Sequence, residues 1–407
     1  MGVLTYLARQ APSRGPLRTM AAGVLITTAG GGAWYTTWAI YFTRQAGIGI
    51  ADVGIALFVA GAVGCLTPGP AGRLGDRIGH RDLLAVLLAV NGLGLAGYTL
   101  VHSFGLLLVI RVVETAAGQA AGGLKTAYVA DLVPGEERTV ELARQRTASH
   151  VGYAVGAAGG ALCLTIDTRA AFIVVIVVNA ATSLVYAAIV RRLPASGAPR
   201  RVAGRAPLRG SGLTIRFVAV AAATAVLCLC WGMVSTGLPL WLGDHTRLST
   251  GLAGAVVALN SIGVAALQVS AGRWTRSVKT ARRAVGVAGL SLAVACFLFA
   301  TTQGAGGVWA VAVILCAALF HLVGEVLYIA AAWTITLHLT PSGRTGTYQG
   351  VAAAAQSVVQ MVSPGLIGVL ITGLAASGWL ILAAVLVTAA VTSMCLLPRA
   401  TAAVPGE

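Results

Sequence analysis

Stretches of about twenty apolar residues recur twelve times along this chain, and each is long enough to cross the hydrocarbon core of a bilayer as a helix. The approximate spans are 19–42, 52–71, 83–101, 105–130, 147–166, 170–190, 215–241, 250–271, 284–302, 307–337, 347–373 and 377–396. In lipid every backbone polar group must be satisfied within its own segment or a closed barrel. A chain so patterned is expected to be an all-α membrane protein with twelve transmembrane helices. Its 52 glycines suit close helix packing, and 57% hydrophobic with 10% charged residues among 407 places the chain in the membrane class.

The charges that remain set the expected orientation. With the N-terminus inside, the cytoplasmic segments hold 23 of the 28 Lys and Arg residues. The outer loops hold Arg44, Arg169 and Arg247, and two more, Arg111 and Lys125, fall within spans. This asymmetry predicts both termini in the cytoplasm of a bacterial plasma membrane. A net charge of +16 would also suit nucleic acid, but the arginines are dispersed over loops without interleaved aromatics, so anionic membrane lipid is the expected partner. Only Lys125 and Lys279 are lysines, a coding bias typical of a high-GC genome. The first span follows Arg9, Arg14 and Arg18 and shows no small-residue cleavage signal, so it reads as an uncleaved helix. All seven cysteines fall in apolar stretches with no C-x-x-C, which predicts buried thiols, no disulfide and no metal site.

One segment is a linker. From Arg191 to Arg216 the chain has seven Arg residues and Pro194, Pro199 and Pro207, and nothing there can build a core. It divides an N-terminal six-helix bundle, 1–190, from a C-terminal one, 216–407, with 191–215 as a basic cytoplasmic connection. The two halves echo each other. Ala71-Gly72-Arg73 recurs as Ala271-Gly272-Arg273, and Pro134 with Arg138 is matched by Pro341 with Arg344. Pseudo-symmetric halves are a common transporter architecture.

Between the second and third spans the chain reads Gly72-Arg73-Leu74-Gly75-Asp76-Arg77-Ile78-Gly79-His80-Arg81. This closely resembles the loop signature of the major facilitator superfamily, G-x-L-A/G-D-R-x-G-R-K/R, with His80 in place of a basic residue. The resemblance, with the span layout, covers the whole chain. It implies that Gly72 and Gly79 allow close approach and a tight turn, that Asp76 meets the start of the eleventh span near 345–349, and that Arg77 pairs with Asp131. With Arg81 these residues would form a cytoplasmic gate. The fifth span carries Gly152, Gly156, Gly159 and Gly160, expected to pack against another helix. Their pattern is similar to the family's antiporter signature, with Ala157 where proline is usual, and implies a drug–proton antiporter-like member.

Only two carboxylates lie deep in apolar stretches, Glu114 and Glu325. Each shares a helix face with a basic residue, Arg111 three positions before Glu114 and His321 four before Glu325. Arg111 also matches the family's buried arginine. An ionisable group at bilayer depth costs roughly 3 kcal/mol on insertion scales, so these four are the candidate proton-coupling residues. A carboxyl and an imidazole on one buried face can each titrate near physiological pH, which places the coupling at Glu325 supported by His321. Trp34, Tyr35, Trp38, Trp231, Asn260, Gln268, Tyr328, Gln356 and Gln360 are candidates to grip a largely apolar solute, whereas Trp241 and Trp309 read as interfacial belt.

The expected function is secondary transport by alternating access: proton-coupled export of an amphipathic small molecule by a monomer that needs no cofactor. Import of a nutrient and flipping of a lipid on the same fold are the alternatives. No nucleotide-binding loop, H-E-x-x-H or intramembrane nucleophile pattern points to an enzyme.

Overall fold

A computed structural model describes residues 15–133, 135–195 and 213–397. Arg9, Arg14, Pro134, most of the basic linker and the last ten residues lie outside them. Among the described residues all regular structure is helical. The helices are α1 (Pro16–Ile40), α2 (Ile50–Gly64), α3 (Pro68–Ile78), α4 (His80–Gly97), α5 (Phe104–Leu132), α6 (Glu137–Ile166), α7 (Arg169–Arg192), α8 (Ile215–Val226), α9 (Leu229–Gly232), α10 (Leu238–His245), α11 (Gly251–Trp274), α12 (Val278–Thr301), α13 (Gly307–His338) and α14 (Thr345–Leu396).

Nine of the described helical stretches are long and apolar enough to cross a membrane, or ten when α2 and α3 are taken as one bent span. The expected pattern of twelve meets departures from regular geometry. The chain bends by 43° between α2 and α3, where Pro68 cannot continue the hydrogen-bond ladder. α1 is 25 residues long but rich in glycine and threonine, and it ends in a π turn over Tyr41–Gln45. α14 runs for 52 residues through a break at Ala375, whose φ of 49° is not helical. Hydrophobic side chains also point outward, with Phe58 62%, Leu93 64% and Val308 87% exposed. In water such a surface would be untenable, and in lipid it is the contact surface.

The described residues form two compact units, 15–195 with 340–361, and 213–339 with 362–397. In the first unit α1 lies against α6 and α7, while α5 holds α2, α3 and α4. In the second, α13 packs on α12 and α11. Glycine sets the α1–α6 contact. Gly152, Gly156 and Gly160 are buried, and a methyl group on Gly156 would run into the carbonyl of Ala29. Gly159 departs from expectation. It is exposed with nothing near its missing side chain, because it lies about 100° around the helix from Gly160. Gly156→Val should therefore lose the folded, monodisperse form in size-exclusion chromatography after mild heating, and Gly159→Ala should retain it. Overpacking costs about 1–3 kcal/mol at a site that yields, and a backbone carbonyl yields little.

Above this contact, Trp34 stacks on Tyr98 with ring centroids 5.2 Å apart, and Phe42 meets the same ring edge-on at 5.2 Å. The Tyr41 hydroxyl donates to the Tyr98 carbonyl at 2.9 Å. Each such aromatic pair contributes about 0.5–1.5 kcal/mol beyond its buried area, which fixes the end of α1.

Many threonine hydroxyls are satisfied inside their own helix. Thr28 donates to the Val24 carbonyl at 2.7 Å, Thr37 to Ala33 at 3.0 Å, Thr224 to Val220 at 2.7 Å and Thr372 to Gly368 at 2.8 Å.

Two expectations on single residues change. Trp241 is fully buried and donates to the Thr302 hydroxyl at 2.9 Å, so it is core, whereas Trp309 is 65% exposed. Cys316 and Cys395 lie on the exposed surface, because their positions on α13 and α14 face away from the packed side.

Candidate functional site

Three constellations of polar groups stand out against the apolar helices. The first lies at the α3–α4 corner. Gly79, at φ 102°, ends α3 and turns the chain directly into α4. The turn leaves Asp76 facing the first turn of α14, whose opening N–H groups have no partner within their own helix. Asp76 accepts from the backbone N–H of Gly346 at 2.7 Å, from that of Thr347 at 2.8 Å, and from the Thr347 hydroxyl. A carboxylate at a helix N-terminus is also favoured by the helix dipole. The approach is backbone to backbone, since a side chain on Gly72 would strike the carbonyl of Gly346.

His80 closes the cluster. Its Nδ1 lies 2.6 Å from an Asp131 oxygen and its Nε2 lies 3.1 Å from an Asp76 oxygen. Carboxylates only accept, so for both bonds to form both ring nitrogens must carry hydrogen, and the ring is an imidazolium. This corrects the expected Arg77–Asp131 pair. Arg77 is exposed, one residue round the helix from Asp76, and His80, four residues on, takes Asp131 instead. Arg81 donates to the Leu193 carbonyl at 3.0 Å and pairs with Asp82. His80→Ala should lower the melting temperature of the purified protein more than Arg77→Ala, because it strips a partner from each of two carboxylates. Equal shifts would mean that the bridge contributes nothing.

The second constellation lines a cavity of about 460 Å³ in the first unit. Trp34, Tyr35 and Trp38 of α1 face it, as do Arg111, Glu114 and Lys125 of α5. Arg111 pairs with Glu114 at 2.8 Å. The same carboxylate accepts from the Tyr98 hydroxyl at 3.2 Å and from the Asn91 amide at 3.2 Å. With the Thr115 hydroxyl at 3.3 Å, the Glu114 carboxylate thus accepts from a permanent cation and three further donors. Asn91, Tyr98 and Ser183, which donates to Asn91 at 3.3 Å, were not expected here. Asn91 and Tyr98 belong to the third span and Ser183 to the sixth, and of these scattered polar residues only Asn91, the lone amide of its span, stands out in the sequence.

The third is in the second unit. The Glu325 carboxylate is buried and accepts from Trp231 Nε1 at 3.0 Å and Asn260 Nδ2 at 2.9 Å. Both donors are neutral. Trp231 and Asn260, expected to touch solute, hold this carboxylate. His321 also departs from expectation. Its Nε2 meets the Cys230 carbonyl at 2.8 Å and its Nδ1 is buried without a partner, so its ring is hydrogen-bonded to α9 and not to Glu325. A shared helix face places two side chains side by side without requiring that they bond. Tyr328 is fully buried with its hydroxyl 2.7 Å from Cys228 Sγ, and Gln268 is fully buried, donating to the Val326 carbonyl at 3.3 Å. Both are internal struts. Gln356 is half-buried and Gln360 exposed, and neither lines the cavity of the first unit.

A family model described as Major Facilitator Superfamily matches residues 19–364. Two uncharacterized MFS-type transporters from strains of Mycobacterium tuberculosis are each 28% identical over 320 residues, covering 74% of this chain. The chain spans 66% of the length of those relatives, just under two thirds. Among solved structures, a bacterial homologue of the iron transporter ferroportin, in an outward-facing state, aligns with a TM-score of 0.73 at 17% identity, covering 94% of this chain and 98% of that one. The human organic anion transporter MFSD10 aligns with a TM-score of 0.73 at 15% identity, covering 95% and 99%. Likeness at such identity is one of fold, whereas the family match extends over most of the sequence. With helices suited to a bilayer and the Gly72–Arg81 signature folded against α14, the chain is a multi-pass integral membrane protein that belongs to the Major Facilitator Superfamily.

Proposed function

We propose that the chain is a proton-coupled secondary transporter of the bacterial plasma membrane that exports an amphipathic small molecule by alternating access. The observation that carries this reading is the Glu325 carboxylate, buried in an apolar helix and held by two neutral donors from two other helices. A carboxylate at such depth is a functional group by default, and one held by neutral donors can be discharged by taking up a proton. Glu114, paired with Arg111, serves instead as a fixed polar element of the cavity. The contacts of Asp76 with the first turn of α14 act as the cytoplasmic gate. Export is supported by the glycine pattern of α6 and its likeness to the antiporter signature.

The test uses the full chain in proteoliposomes with an imposed proton gradient and three labelled probes: 2-naphthoate, 2-naphthol and ethidium. An acidic lumen should drive accumulation of at least one probe, with alkalinisation of the lumen reported by trapped pyranine. Accumulation driven only by an alkaline lumen would replace export with import. Accumulation indifferent to the gradient would remove proton coupling.

A further inference from the structure

The cavity of the first unit has two unlike ends. Tyr98 marks one, because its ring stacks on Trp34 and its hydroxyl bonds Glu114. Tyr186 marks the other. Its ring lies against Gly23, eleven residues before Trp34 on α1, which is about 16 Å along a helix. On α5 the spacing is the same. Lys125 follows Glu114 by eleven residues on the face that lines the cavity. The Tyr186 hydroxyl lies within electrostatic reach of Tyr128, one turn from Lys125. One end is therefore aromatic and carries the closed Arg111–Glu114 pair, and the other carries Lys125 and Tyr186.

The second end has donors without an acceptor. Of the three charged side chains lining the cavity, Arg111 and Glu114 neutralise each other. Lys125 has no hydrogen bond and no carboxylate partner among the described residues, and the charge acting on it is that of Arg146, also positive. The Tyr186 hydroxyl is buried with no hydrogen-bond partner. A half-buried cation and a buried hydroxyl left unmatched are costly unless something else matches them. Resting on the transport reading above, which makes this cavity part of the solute path, we propose that it takes an aromatic monoanion. The acid group lies against Lys125 and Tyr186, and the ring system extends from there toward the aromatic end at Trp34. A volume of about 460 Å³ suits a molecule of drug size.

Equilibrium binding to the purified full chain, without any gradient, tests this apart from coupling. Titrations of 2-naphthoate, 2-naphthamide and 2-naphthylmethylammonium, followed by tryptophan quenching and calorimetry, vary the charge on one ring system. The naphthoate is expected to bind at least about tenfold more tightly than the other two. Lys125→Gln should erase that preference and leave the amide unaffected, Lys125→Arg should retain it, and Tyr186→Phe should weaken naphthoate alone. If Lys125→Gln does not fold, the Lys125→Arg and Tyr186→Phe pair decides. Equal binding of the three probes, preference for the ammonium, a preference that survives Lys125→Gln, or no naphthoate binding up to about 1 mM would each overturn the proposal. None of these results touches the proton-gradient experiment, and loss of gradient coupling would leave this binding result in place.

Discussion

In proteoliposomes, the Glu325→Gln variant is expected to lose concentrative transport completely while still exchanging solute down its gradient. Glutamine has nearly the same shape and one carbonyl oxygen, so it keeps a bond to Trp231 or Asn260 but meets the other donor with its own N–H. That mismatch costs about 1–3 kcal/mol, which weakens a multi-helix protein without unfolding it. What vanishes is the capacity to carry a proton. One proton moving down roughly 100 mV releases about 2.3 kcal/mol, enough for nearly a fiftyfold gradient of a neutral solute in one-for-one exchange. The variant should therefore reach a solute ratio of one where the native chain reaches tens. Glu325→Asp should fall between them. Should Glu325→Gln still concentrate solute, the coupling role passes to Glu114 and Arg111.

The second large effect is expected at Asp76. Asp76→Asn replaces an oxygen that accepts from α14 with an N–H that faces other donors, and it removes the charge opposite His80. Losing these charge-assisted bonds should cost about 3 kcal/mol in the arrangement that has them and nothing in one where the groups face water. A difference of that size moves a two-state ratio by about a hundredfold. Hydrogen exchange at the Gly346 and Thr347 amides should accelerate by that order, and turnover should fall while solute binding persists. Unchanged exchange and normal turnover would remove the gate from the mechanism.

How much of this was legible in the sequence depended on how local the pattern was. The α3–α4 corner is written in ten consecutive residues, so Gly72, Asp76 and Gly79 stand out there, and the meeting of Asp76 with the start of α14 is expected from the family resemblance. The expected Arg77–Asp131 pair gives way to His80 with both aspartates, because the partner is set by which residue returns to the same face after the turn at Gly79. The Glu325 cluster shows the opposite case. The i, i+4 spacing of His321 and Glu325 is visible in one helix, but the actual partners, Trp231 and Asn260, come from helices far away in sequence, and no local pattern pairs them. Lys125 was visible as a charge inside a span. Its meaning depends on what is missing around it, and a string of residues does not display an absence.

The threonines bonded within their own helices bear on how polar the interior of such a chain feels. Thr28 lines the cavity, yet its proton is already committed to the Val24 carbonyl, so it has no donor left to offer there. A hydropathy plot counts it as fully polar, although its donor is already spent. Spare hydrogen-bonding capacity is thus far scarcer than the count of hydroxyls, and it resides in the few groups that no helix turn can satisfy. Over evolutionary drift, exchange of Thr for Val or Ala within the spans should leave solute choice almost untouched, whereas a single change at Tyr186 or Lys125 would redraw it.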